Sequence, residues 1–142
     1  MPGTRPILRA VAFGALGFAL AGCNDEWLAQ RARSAQANTT SPISYRTDVT
    51  AFMRTYLNDP TGVRDAYISE PALRTFDSAD RYTVCVRYNA RKSNGQYAGS
   101  KDVMMLFRDG RLDRVVDNPR ELRDACKDAA YQPFPELQRL QR

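Results

Sequence analysis

The chain has 142 residues, of which 43% are hydrophobic and 26% charged, with 21 Lys and Arg against 16 Asp and Glu. These proportions are typical of one small folded domain, and they exclude a collagen, a coiled coil, a multi-span membrane protein and a chain disordered throughout. The sequence has no histidine, which excludes Ser-His-Asp and Cys-His catalytic sites and imidazole metal sites.

Residues 1–22 have the features of a secretory signal peptide. Arg5 and Arg9 precede an uncharged apolar run over residues 10–22, which is too short to cross a hydrocarbon core of about 30 Å as a helix. The run ends in Leu-Ala-Gly-Cys at 20–23, which resembles the lipobox of bacterial lipoproteins. The resemblance implies that residues 1–22 are removed and that Cys23 is acylated. An ordinary cleaved signal with an incidental cysteine is the alternative.

Acylation at Cys23 predicts a membrane lipoprotein that faces the periplasm, because two or three acyl chains anchor a protein stably. Asn24 follows the cysteine in place of the Asp that resembles an inner-membrane retention signal, so the outer membrane is favoured over the inner. Loss of Arg5 and Arg9 lowers the net side-chain charge from +5 to +3. The remaining cations are dispersed along the chain, and nucleic acid is therefore not an expected partner.

Composition divides the rest of the chain into three parts. Residues 23–41 are polar and rich in Ala, Gln, Ser and Thr, which predicts a lipidated N-terminus followed by a flexible tether. Residues 42–135 are predicted to form a single α+β domain. Residues 136–142 follow two prolines and are predicted to be a frayed tail.

The first element of the predicted domain is an amphipathic helix from Tyr45 to Leu57. Its apolar residues are spaced by three and four, as on one buried helical face; they are Val49, Phe52, Met53, Tyr56 and Leu57. Asn58, Asp59 and Pro60 are predicted to end it.

Four strands are predicted next, over residues 64–70, 81–89, 100–107 and 112–116. Residues 81–89 show the clearest alternation between an apolar and a mixed face. Asn94-Gly95 and Asp109-Gly110 are strong signals for hairpin turns, so the strands are expected to form a three- to four-stranded antiparallel sheet.

A second helix is predicted to begin at Asn118. Asn at the N-cap, Pro119 at the first helical position and Glu121 at the third are three agreeing start signals. Its apolar face is formed by Leu122, Ala125, Cys126 and Ala129. The predicted fold is thus an amphipathic helix, an antiparallel sheet and a C-terminal helix packed on one face of the sheet.

Cysteine usage predicts a disulfide. With Cys23 assigned to the lipid, Cys85 and Cys126 remain as an even pair in an oxidising compartment. Two buried free thiols are the alternative. The sequence has no Cys-X-X-Cys spacing, phosphate-binding loop or dinucleotide motif, and no cofactor or metal is predicted.

Two stretches resemble small uncharacterised exported domains of Gram-negative bacteria. They are LNDP at residues 57–60 and VCVRYNARKSNGQYAG at residues 84–99. The sequence pattern of those exported domains has Gly where this chain has Val86 and Gln96, so the chain departs from it at these two positions. The resemblance implies a compact helix-plus-sheet module and carries no activity.

One surface is a candidate binding site. Arg91, Lys92 and Lys101 lie around the predicted hairpin together with Tyr88 and Tyr97. Cations beside aromatic rings could dock an anionic envelope polymer, a lipid headgroup or an acidic protein. The alternative is a hairpin whose charges only prevent edge-to-edge aggregation.

The sequence therefore predicts a lipid-anchored periplasmic binding or scaffolding domain at the cell envelope, without a catalytic constellation. One alternative is an envelope-polymer hydrolase that uses carboxylates. Another is an accessory subunit of an outer-membrane assembly complex. Asp109, Asp113 and Asp117 alternate with Arg108, Arg111 and Arg114, which favours a solvated salt-bridged face over an acid/base or calcium site.

Overall fold

The computed structural model describes residues 22–141, with side chains from residue 25 onwards. Within this range the elements are α1 (Gly22–Asn38), α2 (Tyr45–Tyr56), β1 (Asp59–Ser69), β2 (Ala72–Phe76), β3 (Ala79–Arg91), β4 (Lys101–Arg108), β5 (Arg111–Val116), α3 (Pro119–Cys126), β6 (Tyr131–Pro133) and α4 (Pro135–Gln138). All strand pairings are antiparallel. The predicted α+β class is confirmed, but the sheet has six strands where three or four were expected.

The sheet is organised around β3, the longest strand. β4 lies along one edge of β3, and β1 and β2 lie one after the other along its opposite edge. Glu70 and Pro71 separate β1 from β2, and Pro71 has no N–H with which to continue a strand ladder. The strand order is β5-β4-β3-β1-β6, with β2 also paired to β3.

Two tight turns join the strands of the β2–β3 hairpin and of the β4–β5 hairpin. Asp109 and Gly110 join β4 to β5 with φ of 51° and 71°, the two left-handed residues that a type I′ turn requires, as the sequence predicted. Asp77 and Ser78 join β2 to β3 with φ of 50° and 62°. This second turn has no glycine, and the sequence analysis missed both the turn and β2.

Helices cover both faces of the sheet. On one face, α2 and α4 pack over Val84, Val86, Val103, Met105 and Phe107. On the opposite face, α3 packs over Met104, Leu106 and Val116. The predicted disulfide is confirmed: Cys85 in β3 is bonded to Cys126 in α3, with their Cα atoms 5.8 Å apart. The apolar cluster under α3, the second core, is therefore held by a disulfide as well as by packing.

The C-terminal segment differs from the expected frayed tail. Phe134 and Leu137 are 0% exposed and Leu140 is 4% exposed. All three pack in the apolar cluster under α2 and α4, the first core. Arg46 of α2 binds Glu136 of α4 through two hydrogen bonds of 2.8 Å. These bonds lower the pKa of the Glu136 carboxyl. Residues 134–140 are thus part of the folded domain.

The segment expected to be a flexible tether is helical from Gly22 to Asn38. It contains good helix formers, chiefly Ala, Gln and Arg, which support a helix even without an apolar face. The backbone N–H of Asp109 donates to the carbonyl oxygen of Ala37, so α1 is joined to the β4–β5 turn at its C-terminal end.

The predicted start of α3 is confirmed. The Asn118 side chain accepts a hydrogen bond of 3.0 Å from the backbone N–H of Arg120 and donates one of 3.0 Å to Glu121. We expect Asn118→Ala to lower the free energy of unfolding by about 1 kcal/mol, because an N–H at the helix start loses its acceptor. Urea denaturation measures this, with Asn118→Ser as the control that keeps a capping oxygen. Equal urea midpoints for the Ala and Ser variants would contradict it.

Candidate anion-binding site

The loop between β3 and β4 is held in an ordered turn. Arg91 forms a β-bridge with Tyr97, and the backbone N–H of Lys92 donates to the carbonyl oxygen of Gln96 at 2.8 Å. Gly95, with φ of 79°, follows Asn94 at the turn that the sequence predicted. The loop therefore presents its cations from a defined backbone.

Two arginines stack on one tyrosine at the base of this loop. The guanidinium carbons of Arg64 and Arg91 lie 4.2 and 5.3 Å from the centre of the Tyr97 ring. The Tyr97 hydroxyl donates to the carbonyl oxygen of Gly62 at 2.8 Å. Cation–π contacts of this kind fix the direction of a guanidinium while leaving its N–H donors available.

Gly62 allows this close packing. Its φ is 69°, and a Cβ at this position would lie 3.3 Å from Nη2 of Arg91 and 3.5 Å from the Tyr97 hydroxyl. A side chain would therefore disfavour the backbone conformation and press against the Arg91 guanidinium.

A pocket of about 340 Å³ opens beside the loop. Arg91, Lys92 and Lys101 line it, and its wall includes Tyr56 and Tyr88, whereas none of its lining residues is Asp or Glu. The arrangement is three cations around a concave, partly aromatic surface, which suits a carboxylate or phosphate group.

The structure brings four of the five candidate residues into this pocket. Arg91, Lys92, Lys101 and Tyr88 line it, while Tyr97 lies beside it under Arg91. Tyr88 is only 4% exposed, and burial raises the pKa of its hydroxyl. Tyr88 thus contributes mainly to the core, and the cations form the accessible part of the candidate site.

Asp117 lies next to the pocket, outside its lining, and contacts two of the lining residues. Its Oδ2 atom lies 3.8 Å from Nζ of Lys101 and accepts a hydrogen bond of 3.3 Å from the Tyr56 hydroxyl. Burial, followed by the charge of Asp117, raises the pKa of Tyr56. The Tyr56 hydroxyl acts as a hydrogen-bond donor and helps to position the carboxylate that lies beside Lys101.

A larger pocket of about 540 Å³ lies on the other side of Lys101, between β4 and α3. It is lined by charges of both signs, including Asp102 and Asp117. Arg87 binds Asp102 through hydrogen bonds of 2.8 and 2.9 Å. Because carboxylates share its walls, this pocket is less suited to an anion than the smaller one.

Carboxylates on β5 and the β2–β3 turn are engaged in ion pairs. Asp113 lies 3.2 Å from Arg81, and Asp77 lies 2.6 Å from Arg114. Asp117 is bound to Lys101, as described above. These contacts are those of a salt-bridged surface.

The sequence analysis missed Tyr56 and Arg64 as neighbours of the site. Tyr56 comes from the end of α2 and Arg64 from a bulge in β1, and both approach the hairpin only through long-range folding. No local pattern around either residue indicates this approach.

Cys23 lies in the first turn of α1, and its lipidation stays a prediction. The predicted signal peptide lies outside the described residues except for Gly22. None of the described helices is long and apolar enough to cross a membrane. No known protein family, curated protein or solved structure matches the chain.

Proposed function

We propose that the chain is a lipid-anchored periplasmic binding domain whose basic pocket takes a carboxylate or phosphate group of an anionic envelope polymer. The observation that carries this proposal is the lining of the pocket, where Arg91, Lys92 and Lys101 converge without a carboxylate among the lining residues. A polymer that repeats an anionic group can engage these cations along its length.

The dimensions and donors of the pocket support such a ligand. A volume of about 340 Å³ is at the lower end of the range for small-molecule sites, enough for one sugar-sized unit and its anionic group. Hydrogen bonds from charged donors to an anion are stronger than neutral ones. Arg91 is already oriented by Tyr97, so less side-chain entropy is lost when it binds.

Two features support the proposed location. The lipobox resemblance at residues 20–23 implies an acyl anchor at Cys23. The Cys85–Cys126 disulfide is typical of proteins that fold in an oxidising compartment such as the periplasm.

The hydrolase alternative is less favoured. A glycosidase of this kind needs one carboxylic acid and one carboxylate on either side of the scissile bond. Near the pocket, Asp117 pairs with Lys101 and Asp102 pairs with Arg87, so both nearby carboxylates already have cationic partners.

Replacing Arg91, Lys92 and Lys101 together by serine tests the proposal. The probes are a phosphate-bearing lipopolysaccharide and the carboxylate polymer polygalacturonate, with neutral dextran as the uncharged reference, and the readout is isothermal titration calorimetry. We expect the Kd for at least one polyanion to rise about 30- to 100-fold, since three partly exposed charge contacts contribute about 2 to 3 kcal/mol.

The matched control is Arg54, Arg111 and Arg120 replaced together by serine, which removes the same charge from exposed positions elsewhere. We expect this control to bind nearly as the original protein does. An equal rise in Kd in the two triple variants would mean that the overall charge of the protein, and not the pocket, accounts for the binding. Failure of the original protein to bind either polyanion would overturn the proposal, and stable co-purification with an outer-membrane protein complex would then favour the accessory-subunit alternative.

A further inference from the structure

Most of α1 is exposed to solvent, and its second half forms a cleft with Arg108 at the end of β4. Every side chain from residue 25 to residue 36 is exposed, and only Ala37 and Asn38 are half-buried. At about 1.5 Å per residue, the helix extends roughly 25 Å.

The C-terminal end of α1 is fixed to the sheet. The carbonyl oxygen of Ala37 accepts a hydrogen bond from the backbone N–H of Asp109. After the helix, the chain passes close to Gly110, where a Cβ would lie 3.4 Å from Thr40 and 3.5 Å from the carbonyl oxygen of Ser41. The direction of α1 is therefore tied to the β4–β5 turn.

The large apolar side chains described for α1 are concentrated near its N-terminal end. Trp27 and Leu28 are 58% and 55% exposed, and the guanidinium of Arg31 lies 5.1 Å from the centre of the Trp27 ring. From residue 29 to residue 38 the helix consists of Ala and polar or charged residues. It has no apolar stripe along its length.

We propose that Trp27 and Leu28 lie in the headgroup region of a lipid bilayer and that α1 stands out from the membrane as a stiff stalk. This inference rests on the proposed anchoring at Cys23. Cys23 is one helical turn before Trp27, so acyl chains at Cys23 would hold the Trp27 ring at the depth where Trp side chains are enriched. Arg31, one turn further on, remains at the water side.

The distribution of polarity favours an upright helix over one that lies flat. A helix that lies in the interface buries an apolar face along its whole length. α1 has no such face, and Arg33 and Gln36 would lose hydration if the helix were pressed into the headgroups. Only the turn that carries Trp27 and Leu28 gains from contact with lipid.

The stalk and the basic pocket lie at opposite ends of β4. Asp109, which binds α1, directly follows the last residue of β4, whereas Lys101 begins the strand. The eight residues of β4 separate the two ends by about 23 Å at roughly 3.3 Å per residue. The pocket is thus presented at the end of the sheet remote from the stalk.

Trp27 makes this arrangement directly measurable because it is the single Trp in the sequence. The experiment places the lipidated full chain in phosphatidylethanolamine/phosphatidylglycerol vesicles and records Trp emission, with and without lipids brominated near the headgroup. We expect a blue-shifted emission and strong quenching by the brominated lipid. The matched variant is Trp27→Phe combined with Gln36→Trp, which moves the fluorophore about 14 Å along the helix. Its emission is expected to remain that of Trp in water.

The outcomes separate this inference from the proposed anchoring. Co-flotation with vesicles measures the anchor by itself. If the protein floats but Trp27 is not quenched, the interfacial contact is wrong while the anchor stands. If the Trp at position 36 is quenched as strongly as Trp27, the helix lies flat and the stalk is wrong. If the protein does not float, the anchoring itself fails, and the inference fails with it.

Discussion

Replacing Phe134 with alanine is expected to lower the free energy of unfolding by about 3 to 5 kcal/mol, the usual cost of truncating a fully buried aromatic ring. The Phe134 side chain is 0% exposed. Its backbone N–H donates to the carbonyl oxygen of Ala66 at 2.9 Å, and the guanidinium of Arg46 lies 5.0 Å from the ring centre. Urea denaturation followed by far-UV circular dichroism measures the change.

Gln138→Ala is the control for this measurement. Gln138 is exposed on α4, and substitution there is expected to change the free energy of unfolding by less than about 0.5 kcal/mol. If Phe134→Ala has as little effect as Gln138→Ala, the segment after β6 does not pack on the domain in solution, and the frayed tail expected from the sequence is the better description.

Removing the disulfide is expected to cost about 4 kcal/mol of unfolding free energy. The bond joins residues 41 positions apart, and in the chain-entropy account a loop of this length strongly restricts the unfolded chain. The test compares the urea midpoint of the oxidised protein with that of the double variant Cys85→Ala, Cys126→Ala.

Reductant provides the control for the disulfide. It should lower the midpoint of the original protein towards that of the double variant and leave the double variant unchanged. A midpoint of the original protein that is insensitive to complete reduction, verified by thiol counting, would contradict a stabilising bond.

Local patterns in the sequence were sufficient for most of the folded core. The apolar spacing around Val49 and Met53 predicted α2, and the alternation around Val84 and Val86 predicted β3, because each pattern matches the period of its own element. The capping residue Asn118 located the start of α3. The pairing of Cys85 with Cys126 followed from there being only two cysteines left after Cys23.

The elements that the sequence analysis missed depend on partners distant in the chain or on weak signals. β2 exists because residues 72–76 pair with residues 79–83, across a turn at Asp77 and Ser78 that contains no glycine. β6 has three residues and is held by β1. α1 has helix-forming residues but no regular spacing of apolar residues, so the sequence pattern predicted a tether there.

The candidate site was predicted in part. The cations of the hairpin are close in sequence, so their proximity could be inferred from the Asn94-Gly95 turn. The wall contributed by α2, including Tyr56, could not be inferred, because it depends on how α2 packs across the first core. The bulge in β1 that brings Arg64 over Tyr97 likewise has no local signature.

The disulfide has a further consequence for the hairpin. The bond between Cys85 and Cys126 closes residues 85–126 into a covalent ring, and the exposed residues of the β3–β4 loop lie within it. Exposed loop tips are the preferred sites of proteolytic nicking. A protease that cleaves after Lys92 would open the ring without releasing a fragment, because both halves of the chain remain joined through sulfur. The loop can thus be nicked while both halves of the chain remain linked.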